Sequence, residues 1–396
     1  MKKFYLSFTL FGFYLICCLP MLFGQNSFTI TFNANGGSGT VPSIQNVPAG
    51  TGISLPDGNS LIAEIDFAIF GGWNTSSDGS GRNFSSGSPF MPTENVTLYA
   101  QWNILQDIDA KINWLHVNSR SNRNYTIEVR DNFTSQHWTH EAVPVQMNLV
   151  FGGRDNITIT FRGVGADRVI SLPRLDWGEM FRIGPGVTLV LDGNITLQGN
   201  RMGTSLINIM RDGSLIINEG TTITGHGGAA LVIQGTFTMN GGTILDNNGS
   251  GNFNDTFNSN GGGVTVFQGG TFIMNGGSIT GNIGDEGGGV RVAGSFTMNG
   301  GTISGNQATR NGGGVFVATS GIFNKTGGIV TGYFNDSVNG NAVINQDRRG
   351  RRTGIQSNMG HAVFINDNLR RETTSGMGDN MMFDGNNGTF AGAWDF

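Results

Sequence analysis

The chain has 396 residues, of which 65 are glycine and 28 are phenylalanine. Only 13% of the residues are charged, against roughly 25% in an ordinary globular domain. So much glycine without a Gly-X-Y period excludes collagen, and this many phenylalanines argue against disorder. The formal net charge of −5 gives no general reason to expect binding to nucleic acid or to an anionic membrane surface.

Residues 1–24 have the layout of an export signal peptide. Two lysines follow the first methionine, and an almost unbroken apolar run extends to Cys18. Gly24 then supplies a small residue before a cleavage site ahead of Gln25. The alternative is a transmembrane anchor, but the apolar run is short and no second hydrophobic span follows it. We therefore expect export, with no transmembrane span in the mature chain.

Both cysteines, Cys17 and Cys18, lie inside this segment. Cleavage after Gly24 leaves a mature protein without thiols, which excludes disulfides and cysteine-based metal sites. The alternative is a lipoprotein signal in which Cys18 is acylated and tethers the protein to a membrane. Such signals place a small residue just before the modified cysteine, whereas Cys17 stands there in this chain, preceded by Ile16. The match to a lipoprotein signal is therefore incomplete.

Residues 26–103 form a first domain with its own motifs. An alternating strand pattern ends at Phe32, and Asn35-Gly36-Gly37 follows as a turn. Three more motifs complete the segment: Gly72-Trp73, Asp78-Gly-Ser-Gly81 and Leu98-Tyr-Ala-Gln-Trp102. In order and spacing these elements resemble the Listeria–Bacteroides repeat, also called the internalin B-type repeat. The resemblance implies a compact β-grasp-like module of exported bacterial surface proteins, without catalytic residues.

Trp73 and Trp102 are large aromatic residues in a small domain. We expect both indole rings to fill its core, because a domain of this size has few other large apolar groups to bury. The alternative is an exposed platform for a sugar ring or a peptide.

The sequence after residue 105 contains internal repeats. The motif Gly-[Thr/Ser]-Phe-x-Met-Asn-Gly-Gly-[Thr/Ser]-Ile occurs at residues 235–244, 270–279 and 294–303. The motif Gly-Gly-Gly-Val-x-Val alternates with it, at residues 261–266, 287–292 and 312–317. Phe272 and Phe296 are 24 residues apart. Self-similarity at such a period indicates a solenoid, in which each unit buries its apolar face on its neighbours.

Each unit is expected to form three short strands, at Phe-x-Met, at Ile and at Val-x-Val, which send alternate side chains inward. Eight or so units would stack at about 4.8 Å each. Lys325 and Thr326 replace Met and Asn in the last copy, which predicts that the regular coil ends soon afterwards. The predicted core stacks are Phe237/Phe272/Phe296/Phe323, Met239/Met274/Met298, Ile244/Ile279/Ile303/Val330, Val264/Val290/Val315 and Val266/Val292/Val317.

The sequence therefore predicts an all-β protein in which the small β-grasp-like domain precedes a right-handed parallel β-helix solenoid. The pattern resembles the pectin-lyase-like β-helices of bacterial adhesins and surface proteins, a fold that also carries polysaccharide lyases and hydrolases. The β-helix is predicted over residues 105–375, with regular rungs at about 186–335, and a tail follows at 376–396. A short α-helix at 107–118 is expected to cap the open first rung.

Two asparagine series recur with the repeat, Asn240/Asn275/Asn299 and Asn247/Asn282/Asn306. Asparagine tolerates the left-handed backbone that we expect at the corners, and its amide can bond to the adjacent rung. We therefore expect structural ladders of stacked amides. The alternative is a polar ligand site.

A β-helix enzyme needs several carboxylates on one face, at equivalent positions of adjacent rungs, to bind calcium or to act as acid and base. In the regular rungs the acidic residues align with neutral ones: Asp246 with Gly281 and Gly305, and Asp285 with Ser250 and Thr309. The irregular rungs could still hold a site around Asp167, Asp176 and Glu179.

Four further features are candidate contacts. Arg291 points outward but aligns with uncharged residues of the adjacent rungs. His137 and His140 are three residues apart, but no set of further ligands accompanies them to make a metal site. The insert at residues 248–260 lengthens one rung by 11 residues and is the best candidate for a binding loop. A basic cluster is either a solvated loop or a contact for an anionic polymer: Arg348, Arg349, Arg351 and Arg352.

The sequence thus predicts an exported bacterial cell-envelope or cell-surface protein with no catalytic, metal-binding or cofactor-binding residues. Adhesion or structural display through the β-helix is the expected function, with surface glycans or proteins of host or neighbouring cells as partners. The competing hypothesis is a carbohydrate-active enzyme, either a polysaccharide lyase or a glycoside hydrolase.

Overall fold

A computed structural model describes residues 26–134, 145–173, 178–201, 205–249, 261–333, 337–346, 352–356 and 361–365. The chain divides between Ile104 and Leu105 into two compact units. The predicted signal peptide, with Cys18, and the predicted tail at 376–396 lie outside the described residues, so both stay predictions.

The first unit is built on a five-stranded mixed sheet. Its strands are β1 (Ser27–Asn33), β2 (Gly37–Gly39), β3 (Gln45–Pro48), β4 (Ile53–Ser54), β5 (Leu61–Ala63), β6 (Ala68–Asn74), β7 (Asn83–Phe84), β8 (Pro89–Phe90) and β9 (Val96–Ile104). The sheet has the order β3-β1-β9-β6-β7, in which β1 and β9 are parallel and the other neighbours are antiparallel. Two short antiparallel pairs, β2–β5 and β4–β8, complete the unit.

The two tryptophans of the first unit pack into its core, as the sequence predicts. Trp73 is completely buried and donates its indole N–H to the carbonyl oxygen of Pro56 at 2.9 Å. Its ring centroid lies 4.8 Å from that of Phe32 and 5.1 Å from that of Phe70. Trp102 is half-buried and packs edge-on against Phe70, at 6.2 Å. The burial of Trp73 excludes this ring as an exposed platform.

The turn after β1 explains why its motif is Asn-Gly-Gly. Asn35 and Gly36 have φ angles of 49° and 79°, a left-handed conformation that asparagine and glycine tolerate best. Gly37 has a different role, because a side chain there would collide with the ring of Trp102. The indole N–H of Trp102 donates to the carbonyl oxygen of Asn35 at 3.1 Å. The first and last motifs of the domain therefore form one contact.

The second unit is a coil of parallel strands, in which one turn, or rung, contributes one strand to each of three sheets. The first four rungs follow α1 (Ile108–Asn118) and contain β10 (Arg123–Val129), β11 (Phe133–Thr134), β12 (Val145–Leu149), β13 (Ile157–Gly163), β14 (Arg168–Ser171), β15 (Glu179–Ile183), β16 (Val187–Asp192), β17 (Ile195–Gln198), β18 (Ser205–Ile209), β19 (Ser214–Ile217), β20 (Thr221–Thr224) and β21 (Ala229–Ile233).

The remaining strands form four further rungs and a short extra sheet. They are β22 (Thr236–Met239), β23 (Thr243–Leu245), β24 (Val264–Val266), β25 (Thr271–Met274), β26 (Ser278–Thr280), β27 (Ile283–Glu286), β28 (Val290–Val292), β29 (Ser295–Met298), β30 (Thr302–Ser304), β31 (Gln307–Asn311), β32 (Val315–Val317), β33 (Ile322–Lys325), β34 (Ile329–Val330), β35 (Ala342–Gln346), β36 (Arg352–Ile355) and β37 (Val363–Ile365).

Three sheets of eight strands each run the length of the described coil. Sheet 1 is β10-β13-β16-β19-β22-β25-β29-β33, sheet 2 is β11-β14-β17-β20-β23-β26-β30-β34, and sheet 3 is β12-β15-β18-β21-β24-β28-β32-β37. Neighbouring strands in each sheet are parallel. This arrangement confirms the predicted fold class, a β-helix solenoid after a small β domain.

The predicted core stacks all form. Parallel pairing places Phe237 on Phe272, Phe272 on Phe296 and Phe296 on Phe323, with ring centroids 4.7, 4.4 and 4.8 Å apart. The methionine, isoleucine and valine series stack in the same way. Nearly every one of these side chains is completely buried, so the core is the space that the three sheets enclose.

The predicted helix forms as α1 and packs against the first rung. Asp107 caps its first turn by accepting a hydrogen bond from the backbone N–H of Ala110 at 2.9 Å. Ile112 and Leu115 are buried. At the other end, Arg154 donates to the carbonyl oxygen of His116 at 2.9 Å, which satisfies a carbonyl that the helix itself leaves free. The helix therefore covers strands β10 and β12, as predicted.

Three features differ from the sequence-based expectation. In-register pairing already begins at β10, although residues 123–183 do not carry the repeat motifs. Strands β27, β31, β35 and β36 form a fourth sheet that the sequence does not predict. In the last described rung, β33 and β34 are followed by β35 and β36 of the fourth sheet before β37 completes sheet 3, so this rung is longer than the repeat predicts. Where the coil ends stays a prediction.

Replacing Phe296 by alanine should destabilise the solenoid by about 3–5 kcal/mol, because the ring is completely buried between two stacked neighbours. Urea unfolding followed by circular dichroism measures the loss. Phe323→Ala is the matched control, since Phe323 is half-buried at the end of the stack and should cost less. Equal losses for the two variants would contradict the stacking argument.

Candidate functional site

A polar groove of about 590 Å³ lies along the corner between sheets 1 and 2 and crosses five consecutive rungs. Its lining comes from the turns that join the two sheets and from the outer face of sheet 2. The lining residues are Asp167, Asn194, Thr196, Glu219, Gly220, Thr221, Thr222, Asn240, Gly241, Gly242, Thr243, Gly277 and Ser278.

The floor of the groove is a row of hydroxyl groups with one member in each of its rungs after the first, where Val169 takes the equivalent position. Parallel pairing places Thr196 on Thr222, Thr222 on Thr243 and Thr243 on Ser278. In β20, β23 and β26 these residues precede a buried isoleucine, so strand alternation turns them outward. Thr302 continues the row beyond the groove. The hydroxyls therefore repeat at the rung spacing, about 4.8 Å.

The exposed asparagine series forms a ladder beside this row. The side-chain amide of Asn240 donates to Asn218 at 3.1 Å, that of Asn275 to Asn240 at 3.0 Å, and that of Asn299 to Asn275 at 2.9 Å. Asp192 and Thr326 extend the ladder at its two ends, at 3.3 and 2.7 Å. The predicted structural ladder is confirmed, and it is longer than the sequence motif.

The second asparagine series forms a ladder inside the coil. Asn247, Asn282 and Asn306 are completely buried, and each side-chain amide donates to the carbonyl oxygen of the next side chain, at 2.8–2.9 Å. Each Oδ1 atom also accepts a backbone N–H from the rung before, as between Asn282 and Asn247 at 3.1 Å. Asn341 completes the ladder, although it lies outside the repeat motif. This series too is structural.

Left-handed backbone conformation does not explain why asparagine occupies these six positions, contrary to the prediction. We expected them to occupy left-handed backbone positions, yet none of the six has a positive φ. The left-handed residues of these corners are Gly242, Gly277, Gly301, Asp246, Gly281 and Gly305. The asparagines are therefore explained by hydrogen bonding between rungs, and their neighbours by backbone conformation.

His226 interrupts the buried ladder. It takes the corner position of Asn247 one rung earlier, because Thr224 pairs with Leu245. Its backbone N–H donates to Oδ1 of Asn247 at 3.0 Å, and its side chain is buried. Neither ring nitrogen has a hydrogen-bond partner among the described residues. Burial lowers the pKa of His226 to about 4, because the charged form is poorly solvated there.

The groove contains two carboxylates, those of Asp167 and Glu219, and both residues are exposed. The sequence groups Asp167 with Asp176 and Glu179, but the structure separates Asp167 from Glu179. Glu179 lies on sheet 3 and is buried, where it bonds to Arg182 at 2.8 Å and to Asn208 at 2.6 Å. Asp176 lies outside the described residues. Sequence reasoning missed Glu219, since its position in the repeat is otherwise occupied by glycine.

Arg291 belongs to a charged network that the sequence alignment does not reveal. Its guanidinium lies 3.5 Å from the Glu286 carboxylate, and Arg310 lies 3.4 Å from the same carboxylate and 3.9 Å from Asp285. Thr309 donates to Asp285 at 2.8 Å, which confirms the predicted alignment of these two residues. These charges pair with one another across β27, β28 and β31, so we assign them a structural role.

Several predicted contacts lie outside the described residues, namely His137, His140, Arg348, Arg349, Arg351 and residues 250–260 of the insert. Arg352 is described, and it is exposed on β36. Within the described ranges, no group of three or more acidic, histidine or cysteine residues could hold a metal ion. The helix in those ranges is too short to cross a membrane.

Comparison with known proteins identifies the first unit. Residues 28–101 match the family model of the Listeria-Bacteroides repeat domain, which is typical of bacterial surface proteins. An 81-residue segment is 40% identical to a protein of Evansella cellulosilytica whose name describes it as a Gly-rich membrane protein. The segment covers 20% of this chain and 9% of that protein. No solved structure matches the chain.

Replacing His226 by asparagine should stabilise the protein by about 1–3 kcal/mol at neutral pH, because an amide there can join the ladder while the buried imidazole has no partner. The gain should widen as the pH falls from 6.5 to 4. In that window the unfolded chain binds a proton at His226 that the folded chain does not, which costs the unaltered protein about 3 kcal/mol in all.

Urea unfolding of both proteins between pH 4 and pH 7 measures this difference. The two stability profiles should diverge progressively from pH 6.5, the ordinary pKa of histidine, down to the lowered value. Profiles that stay parallel throughout would show that His226 is protonated as easily in the folded protein as in the unfolded chain.

Proposed function

We propose that this protein is exported to the bacterial cell envelope or cell surface, where its β-helix serves adhesion or structural display without catalysis. The repeat domain at 28–101 supports the location, because it is typical of bacterial surface proteins. The signal-like layout of residues 1–24 supports export. We further propose that the coil is right-handed and of the pectin-lyase type.

The observation that carries the adhesive function is the in-register row of hydroxyls in the groove. Thr196, Thr222, Thr243 and Ser278 present the same chemical group at a constant interval. A polymer with a similar repeat can therefore make the same weak contact in several successive rungs, and the contacts reinforce one another because they are linked. Surface glycans fit this description best, since they are polymers of hydroxyl-bearing rings.

A second candidate function is a carbohydrate-active enzyme. The observation that favours it is the presence of Asp167 and Glu219 in one groove, since glycoside hydrolysis uses a pair of carboxylates. Parallel stacking places these residues two rungs apart along the coil, roughly 10 Å, and both are exposed. We favour binding, because the hydroxyl row extends over more rungs than a single scissile bond requires.

A glycan array run beside lyase and hydrolase assays with calcium distinguishes the two functions. We expect binding of at least one extended glycan without turnover. Thr243→Trp should weaken that binding by filling the groove, whereas Thr238→Trp should not, because Thr238 is an outward-facing threonine of the same rung on sheet 1. Turnover of any glycan would support the enzyme, and binding that Thr243→Trp leaves unchanged would exclude the groove.

The mature N-terminus tests the proposed export. Mass spectrometry of the protein from the native cell should give an N-terminus at Gln25, and intact cells should expose the chain to added protease. A mature chain that begins with an acylated Cys18 would show a lipid anchor instead. Retention of residues 1–24 together with full protease protection would contradict export.

A further inference from the structure

We propose that the groove selects extended glycans that carry protonated amino groups, with Asp167 and Glu219 as the residues that determine specificity. This inference rests on the adhesive function proposed above and adds the chemical class of the ligand. It begins from the lining, which combines hydroxyl, amide and carboxylate groups with exposed glycine backbone.

The charge of the lining decides between classes of glycan. Asp167 and Glu219 are both acidic, and the lining includes no lysine or arginine. The nearest cation along the chain, Arg168, points its Nε to the backbone carbonyl of Val164 at 3.0 Å. Among the lining residues, a uronate or sulfate polymer would therefore meet only like charges, whereas an ammonium group on a sugar ring would be attracted to either carboxylate.

The spacing of the two carboxylates suits a polymer that follows the coil axis. Asp167 precedes β14 of the second rung, and Glu219 precedes β20 of the fourth rung. The hydroxyl of Thr196 lies in the rung between them, and that of Thr222 lies in the same rung as Glu219. A fully extended chain of hexose rings advances by about one ring per rung, because both repeats are close to 5 Å. Amino groups on alternate rings would then meet both carboxylates.

A basic peptide would complement the two carboxylates of the groove but not its other lining groups. Extended peptides are usually held by main-chain hydrogen bonds to the free edge of a sheet. Strands β17, β20 and β23 beneath the groove are paired on both sides, so they offer no such edge. The lining also lacks the aromatic and large apolar side chains that anchor peptides. Its hydroxyl groups instead match the hydroxyl groups of a sugar.

Calorimetric titration of the full-length mature chain tests the proposal. The probes are chitosan oligomers, their fully N-acetylated counterparts, oligogalacturonate and poly-lysine, in a slightly acidic buffer that keeps glucosamine protonated. We expect the chitosan oligomers to bind most tightly, with an affinity that falls as salt is added. The double variant Asp167→Asn, Glu219→Gln should weaken this binding by about five- to tenfold, the value of two exposed charge pairs.

The matched control is Asp155→Asn, Asp212→Asn, which makes the same change of charge within the second unit but outside the groove lining. Both residues are exposed in turns between sheets 3 and 1, and Asp212 has a φ of 62°, which asparagine tolerates. This variant should bind the chitosan oligomers as the unaltered chain does. Circular dichroism checks that both variants are folded.

Three results would overturn the proposal, and they differ in what else they affect. Equal binding of chitosan oligomers by both double variants would exclude the carboxylates but leave glycan adhesion intact. Tighter binding of poly-lysine, lost in the groove variant, would identify a basic peptide as the ligand. Failure to bind any glycan, on the array as well as in the titration, would also overturn the proposed adhesive function.

Discussion

Parallel stacking at about 4.8 Å places each side chain of the solenoid on its equivalent from the rung before, and this constraint governs the residue chosen at almost every position. Phenylalanine stacks on phenylalanine, as Phe272 does on Phe296 at 4.4 Å. Asparagine bonds to asparagine, because an amide is both donor and acceptor. A carboxylate or an ammonium group repels its own copy, so charge is scarce in such a chain, as the 13% of charged residues reflects.

The same constraint separates structural from selective residues on the outer surface. Threonine and serine stack without penalty, so a continuous hydroxyl row forms along sheet 2 from Thr196 to Thr302. A charged residue is tolerated only where the equivalent residues of the two adjacent rungs do not carry the same charge. Counted from sheet 1, Glu219 has glycine at the equivalent position of the rungs on either side, Gly193 and Gly241. The surface thus has a uniform hydroxyl background and a few isolated charges that distinguish one ligand from another.

A stack could be predicted from the sequence where the same residue recurs in successive rungs. It could not be predicted where different residues of similar size replace one another. The Phe, Met and Asn series recur as the same letters, so their stacks could be predicted. In the earlier rungs Tyr125, Ile159, Leu189 and Leu215 occupy one stack, and such exchanges among large apolar residues hide the period. The fourth sheet could not be predicted, because Ile283-Gly-Asp-Glu286 lacks the alternation of apolar and polar residues that is typical of a strand. The groove could not be predicted, because Thr243 and Ser278 belong to a motif whose other members are structural, whereas Thr196 and Thr222 lie outside that motif.

The two asparagine ladders also differ in direction. In the exposed ladder each amide donates towards the preceding rung, and the chain of bonds ends on Asp192, a carboxylate that can only accept and is itself held by Arg162 at 3.0 Å. In the buried ladder each amide donates towards the following rung. Each row of aligned amides is a chain of dipoles that polarise one another. Because the two rows of side-chain amides donate in opposite directions, the dipoles of one row oppose those of the other along the coil.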